Sequence, residues 1–316
     1  MRKGTIVSLI VLVIGFAMAG VGFANGGMQP LGLHLGDGSN GSGFVLVQNN
    51  NQMERVDQTW RNDGTIKNLQ VNLNAVNRIE IRAEGDSFSV KGQNWRAAGG
   101  LTAELTGDTL TVGSEPSRNL NLWWFGFGPS LRLEDCGVVI TVPQNVTLDT
   151  ADAKSAIGGL YVTGIKAREL SLNNDTGNTT GKNIDADNFK MTSSIGGCKL
   201  DSVRTQTANI SLNTGEFTAN DFLSSKELTF KTSLGNAAFT NAVLNGNSRF
   251  ETSTGNLTLS LRMPRGSVGY EIESSTGEVR IDGTKVKGKV TNIPPNAAGH
   301  LSVESSLGNV TIDFIS

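Results

Sequence analysis

The sequence predicts an all-β fold: a single-domain β-helix (β-solenoid) with coils of about 19–20 residues, preceded by an N-terminal hydrophobic helix. Three observations carry the prediction. Glycine recurs at Gly158, Gly177, Gly196, Gly215, Gly235, Gly255, Gly277 and Gly308, with gaps of 19, 19, 19, 20, 20, 22 and 31 residues. A near-constant period of this length marks a stacked repeat architecture. Each glycine is flanked by apolar residues two apart, which is the periodicity of strands with one buried face. An uncharged apolar run, Thr5 to Ala24, stands behind Arg2 and Lys3 at the amino end.

Residues 1–25 read as a secretory signal or a signal anchor. Ala17 to Ala19 offers a small-residue cleavage site, while a run of 20 residues is long enough to span a bilayer. The apolar run continues past that site through Val21 and Phe23, which favours an uncleaved anchor. Basic residues before the span place the body on the extracytoplasmic face of the cell membrane as a single-pass protein. Cleavage would instead make the body a secreted protein. Residues 26–64, rich in Gly, Asn, Gln and Ser, read as a flexible tether. Within it, Asp37 and Ser39 begin a calcium-loop pattern, but Gln48 stands where the closing carboxylate is required, so the pattern fails.

Residues 65–316 form the solenoid domain. From Leu69 to Val142 alternating pairs such as Ile79 and Ile81, or Phe88 and Val90, persist without a clean period. Terminal coils are atypical because they cover an open end, so this stretch is expected to supply the cap and first rungs. Regular copies follow, such as Phe250, Gly255, Leu257, Leu259 and Tyr270, Ile272, Gly277, Val279, Ile281. A 20-residue unit cannot bury its apolar face alone; stacking units in register, one strand spacing of about 4.8 Å apart, does. Glycine at the corner fits either a positive φ or a corner too tight for a side chain. The 22-residue gap holds Arg262 to Gly266 and the 31-residue gap holds Ile293 to His300, both read as loops inserted at a corner. Beside the glycines lie Ser155, Ser194, Ser233, Ser253, Ser275 and Ser306, the threonines Thr176, Thr214, Thr254 and Thr276, and the asparagines Asn178, Asn236, Asn256 and Asn309. These form stacked polar columns that can hydrogen-bond along the axis.

The net charge is −2, mildly acidic, which excludes nucleic acid as the expected partner. Cys136 and Cys198 lie in a disulfide-permissive compartment but about three coils, or ~14 Å, apart along the axis. A disulfide needs Cα atoms within about 7 Å, so two buried free thiols are expected. The two histidines, His34 in the tether and His300 in a loop, have no nucleophile context, and no metal-ligand spacing exists. Asp149 with Asp152, and Asp185 with Asp187, are the candidates for carboxylate chemistry. They read as solvated turn residues without a matching Arg or Lys on adjacent rungs. No catalytic, cofactor-binding or metal residue is therefore assigned, and no cofactor and no enzymatic activity are expected. The feature that stands out is Trp123, Trp124, Phe125 and Phe127, four aromatics in five residues between glycine and proline. Such a loop either makes a surface contact with a membrane or a sugar or peptide partner, or folds over the open end of the solenoid.

The phrase apolar-x-apolar-x-x-Ser-Thr-Gly-x-apolar-x-apolar, as in Phe250 to Leu259 and Ile272 to Ile281, resembles the bacterial putative-adhesin family of β-strand-repeat domains in cell-envelope proteins. Val138 to Pro143, followed by Asn145 to Leu148, is similar to that family's strand entering the repeats. The resemblance covers about Thr65 to Ile315. It implies a single β-helical domain behind a membrane helix or signal, in some members encoded with envelope stress systems, and it brings no catalytic residues. The expected function is that of a non-enzymatic, membrane-tethered or secreted cell-envelope module serving adhesion or surface interaction. Its partners would be an envelope component, glycan or protein, and the membrane through the N-terminal helix. The alternatives are a self-assembling, bactofilin-like scaffold and a polysaccharide-active β-helix enzyme.

Overall fold

The computed structural model describes residues 57–61, 65–93, 101–114, 137–286, 288–295, 297 and 299–315. The N-terminal hydrophobic helix, most of the tether, Cys136 and the aromatic segment with Trp123, Trp124, Phe125 and Phe127 lie outside the described residues. Twenty strands make up one continuous sheet among the described residues. Beside them stands a single 3-10 turn, Arg265–Ser267. Among the described residues no helix is long and apolar enough to cross a membrane.

One coil shows how the sequence makes a corner. In Cys198–Thr214 the inward side chains are Cys198 and Leu200, then Val203 and Thr205, then Ala208, Ile210 and Leu212. Strict alternation slips twice, at Asp201/Ser202 and at Gln206/Thr207, so the chain turns there and again at Gly215. Each coil thus has three faces. The first corner requires a left-handed residue, met by Gly164, Asn183, Ser202, Asp221 and Asn241 on successive coils. Small polar side chains tolerate that conformation best after glycine.

At the amino end lie β1 (Asp57–Arg61), β2 (Asn68–Ala83), β3 (Ser87–Gln93), β4 (Leu101–Thr106), β5 (Thr109–Ser114) and β6 (Gly137–Val142). β1, at the end of the stretch read as tether, pairs antiparallel with β3. β2 is no peripheral cap strand. It stacks in parallel directly on β7 (Thr147–Thr163), from Asn68↔Thr150 to Arg82↔Thr163. The cap lies on its other side, where β5 and β6 pair parallel to β2 and are themselves closed by β4 and β3 running antiparallel.

The regular rungs follow as β8 (Lys166–Thr176), β9 (Thr179–Ile195), β10 (Cys198–Thr214), β11 (Phe217–Leu234), β12 (Ala237–Leu244), β13 (Gly246–Thr254) and β14 (Leu257–Leu261), each parallel to the last. Then the order changes. β15 (Val268–Thr276) and β16 (Val279–Ile281) do not stack on β13 and β14. The final strands β19 (Gly299–Leu307) and β20 (Val310–Phe314) do, and β15 and β16 stack on them. The carboxyl-terminal rung is therefore inserted between the two rungs that precede it in sequence. The 31-residue gap is also more than a loop. It contains β17 (Thr284–Val286) and β18 (Val290–Asn292), which pair antiparallel with β16 and β15 and close that end.

The recurring glycines stack in the order 158, 177, 196, 215, 235, 255, 308, 277, and both sequence-based reasons for them hold together. At Gly215, φ is 150°, and a Cβ there would sit 1.9 Å from the Gly196 carbonyl oxygen. No L-residue meets either demand. The Gly215 N–H donates to the Leu234 carbonyl of the next rung at 3.0 Å, and the inserted rung continues this row through Gly255 N–H to Leu307 O and Gly308 N–H to Thr276 O, each 2.9 Å. Beside it runs the asparagine ladder. The side-chain oxygens of Asn236, Asn256 and Asn309 accept the backbone N–H of Asn256, Asn309 and Glu278 in turn, each at 2.9 Å. Asparagine carries this ladder, whereas the serines 233, 253, 275 and 306 point to solvent.

The core is a set of columns in which bulky and small residues offset each other. Phe217 over Ala219 on one rung is answered by Ala237 and Phe239 on the next, which sets the Phe217 and Phe239 rings 4.9 Å apart. Phe230 and Phe250 meet Phe239 edge-on at 5.3 and 5.2 Å, a favoured aromatic geometry.

Two outcomes test this account. Gly215→Ala lowers stability in urea unfolding by about 3 kcal/mol or more, because it combines backbone strain with a backbone clash. Gly266→Ala, with nothing within 4 Å of its added methyl, stays within about 0.5 kcal/mol of the parent. Deleting residues 299–316 exposes Val268–Ile281 to complete amide hydrogen exchange, since their only parallel neighbour is lost; a chain stacked in sequence order would keep them protected.

Candidate functional site

The third face of the coil, between the second corner and the glycine, carries a groove of about 470 Å³ across four rungs. Its register is set by the sheet. Glu169, Asn188, Thr207 and Glu227 form one row, and Ser171, Lys190, Asn209 and Thr229 the row beside it. Between the rows Leu170, Phe189 and Ala208 turn inward, so the floor of the groove is backbone over core. The wall forms where the second face turns into the third. Thr205 and Ser224 are buried at that turn, and their hydroxyls reach the Thr207 and Glu227 carbonyls at 2.7 and 2.8 Å. The coil lengthens there by one residue, and the register of β10 on β11 shifts between Thr205 and Thr207. Gln206 bridges to Asp187 on the rung before, and Thr207 donates to Asn188, both at 2.6 Å.

Chemically the groove offers two carboxylates at its ends, one ammonium in its second row and a run of amides and hydroxyls. These groups donate and accept along a line spaced by the strand separation, which suits a polar, extended, hydroxyl-rich chain. No group of three or more His, Cys, Asp or Glu that could hold a metal occurs among the described residues.

Farther along the same face the surface becomes charged. Glu251 takes Arg249 of its own rung and Lys231 of the neighbouring one at 2.9 Å, and Arg249 reaches Glu304 of the inserted rung at 3.0 Å. The Arg249 and Lys231 hydrogen bonds hold the Glu251 carboxyl below the usual carboxylate range. Lys289 does the same for Glu271 on the outermost rung.

The sequence-predicted candidates fall as follows. Asp149 and Asp152 lie in a strand rather than a turn, and Asp149 does have a basic neighbour on the adjacent rung, Arg168, at 3.2 Å. Asp152 pairs with Lys154 at 3.1 Å. Asp185 and Asp187 likewise sit within β9, Asp187 holding Gln206. The strand twist that brings Arg168 over Asp149 is invisible to a reading of one coil at a time. His300 is in β19, paired with Asn247 and Gly269, not in a loop. Cys198 is a buried free thiol pushed up by its burial, with the Ser193 and Thr179 hydroxyls partly offsetting that. The groove itself was missed. Its outward residues have no common chemistry, and its only sequence signal is the step from a 19- to a 20-residue period.

A family model, Toastrack DUF4097, matches residues 66–313, and the chain belongs to that family. Three solved structures are similar. A putative adhesin from Bacteroides fragilis has 13% identity, with 83% of this chain and 97% of that chain covered and a TM-score of 0.42. A putative cell adhesion protein from Clostridium sporogenes has 16% identity, 83% and 99% coverage and a TM-score of 0.27. A putative lipid binding protein from Parabacteroides distasonis has 10% identity, 84% and 98% coverage and a TM-score of 0.36. At these scores the three share a general likeness and no more. Among curated proteins there is no match.

The Glu251 cluster gives a pH test. A carboxyl lowered in the folded state adds stability that is present above its unfolded pKa and is lost as pH falls through its folded one. Glu251→Gln is therefore less stable than the parent at pH 7, and the gap closes as urea unfolding is repeated towards pH 3. A gap unchanged over that range would show that the ion pairs add nothing.

Proposed function

We propose that this Toastrack protein is a non-enzymatic interaction module of the cell envelope, adhesin-like in role. Its hydrophobic N-terminal segment holds it at the outer face of the cell membrane, with residues 26–64 as the spacer. The observation that carries the reading is the groove from Glu169 to Thr229. It is rigidly supported, polar throughout and aligned with a repeating backbone, as the binding of an extended envelope glycan requires. Catalysis by a β-helix of this kind needs an acidic pair with defined separation about the reacting bond. The groove's two glutamates stand three rungs apart at opposite ends, on the order of 14 Å by strand spacing. The scaffold alternative requires open ends for growth, and both ends carry antiparallel closing strands.

The test is binding of cell-wall glycan fragments by calorimetry to the full chain in detergent, beside two variants. Replacing Glu169, Lys190 and Glu227 by alanine is expected to weaken binding at least tenfold. Replacing Trp123, Trp124, Phe125 and Phe127 by serine leaves it within twofold. The reverse pattern moves the site to the aromatic segment, and heatless mixing with every glycan refutes recognition of such polymers.

A further inference from the structure

The residue before each glycine stands on the third corner and points to solvent. In stacking order these residues alternate without a break between aliphatic and threonine. Ile157 neighbours Thr176, Ile195 lies between Thr176 and Thr214, Leu234 between Thr214 and Thr254, and Leu307 between Thr254 and Thr276. In sequence order the alternation fails, because Thr254 would be followed by Thr276. Insertion of the carboxyl-terminal rung restores it by placing Leu307 between them. The four aliphatic side chains are 50–58% exposed, and they are four of the seven exposed large hydrophobics among the described residues. They form a row of knobs about 9.6 Å apart, two strand spacings, with a threonine-sized hollow in each interval. The flanking positions are mostly Ser, Asn and Gly, so the ridge carries little charge, as the centre of a protein interface does.

We propose that this ridge is a homotypic interface, on which a second copy of this chain packs antiparallel about a two-fold axis. Eight rungs that alternate strictly are self-complementary when reversed. The first then meets the eighth, so Ile157 faces Thr276 of the second copy, Ile195 faces Thr254, Leu234 faces Thr214 and Leu307 faces Thr176. Every knob has a hollow opposite it. Parallel packing in register would set Ile on Ile and Leu on Leu. The flank agrees with the reversal. Four residues before the glycine the column begins with Lys154 and ends with Glu304 and Glu273. A two-fold axis of this kind brings the same flank of both copies together, which sets Lys154 beside Glu273 of the second copy. The glycan groove lies across the third face from this corner, so both copies keep it free. The strip is narrow, which places it among weak, reversible interfaces.

Disulfide trapping tests the arrangement in the full chain purified in detergent, with Cys136 and Cys198 replaced by alanine. Ile157→Cys and Thr276→Cys are made on separate chains. Within one chain these positions are seven rungs, or ~34 Å, apart, far beyond disulfide reach. Neither variant alone is expected to cross-link on mild oxidation, since its own counterpart lies at the opposite end of the dimer. Mixed, they give a covalent heterodimer. Adding Ile195→Asp and Leu234→Asp to both chains cuts its yield at least tenfold without changing the thermal midpoint, because both residues are exposed. Absence of cross-linking in the mixture, equal cross-linking of either variant alone, or a yield that survives the two aspartates overturns the proposal.

Discussion

Every rung of this protein depends on backbone hydrogen bonds that it cannot make by itself. Its N–H and C=O groups point up and down the axis, and only a neighbour one strand spacing away satisfies them. At the glycine corner that spacing brings the carbonyl of one glycine beneath the Cα of the next, about 2 Å from where a side chain would begin. The period of the sequence follows from this contact. A slip of one residue anywhere would turn a whole face inside out, so the inward columns of Leu, Ile and Phe stay in register for as long as the glycines do. The asparagine ladder reinforces the same corner, using side-chain oxygens on N–H groups that the turn leaves over.

The chain does not stack in the order in which it is written. Both the first long strand, β2, and the last pair, β19 and β20, lie inside the stack. The outer rungs are short strands that reverse direction. Parallel stacking continues only if the next strand keeps its polarity, so an antiparallel strand of three residues ends the template, and the charged Lys285 and Lys289 beside it discourage a further one. The inserted rung also ties residues 246–261 to 299–314. Contacts this distant in sequence form late in folding, and they make the carboxyl-terminal third one cooperative unit where a sequential solenoid would fray from its end.

Much of this was legible in the residues. The glycine period, the three inward columns and the polar ladder each follow from local chemistry repeated at a fixed interval, and the structure places them as read. The exchange of rungs was harder, because equivalent repeats carry no label saying which neighbour they prefer. One signal was present. Thr254 and Thr276 break an alternation that Ile157, Thr176, Ile195, Thr214 and Leu234 establish, and Leu307 supplies the missing member. The groove had no such signal, since polar outward residues are free to vary. Its wall depends on one extra residue per coil, which says where the backbone bulges and not what it holds. Arg168 over Asp149 was missed for a related reason: cross-rung pairs are set by stacking, not by sequence distance.

The identity of the ridge residues argues that contact, rather than strand formation, selected them. At an exposed position nothing inside the protein fixes the side chain, and strand preference alone would choose β-branched residues. Isoleucine and threonine satisfy that preference equally, so an all-threonine column would fold as well and would expose less apolar surface to water. Leucine satisfies it poorly. Yet Leu234 and Leu307 occupy the aliphatic positions, each half exposed, while every hollow is a threonine. Core packing cannot account for the choice, because these side chains point away from the core. A surface that alternates in size, avoids charge and pays no regard to strand preference is shaped for something that lies against it.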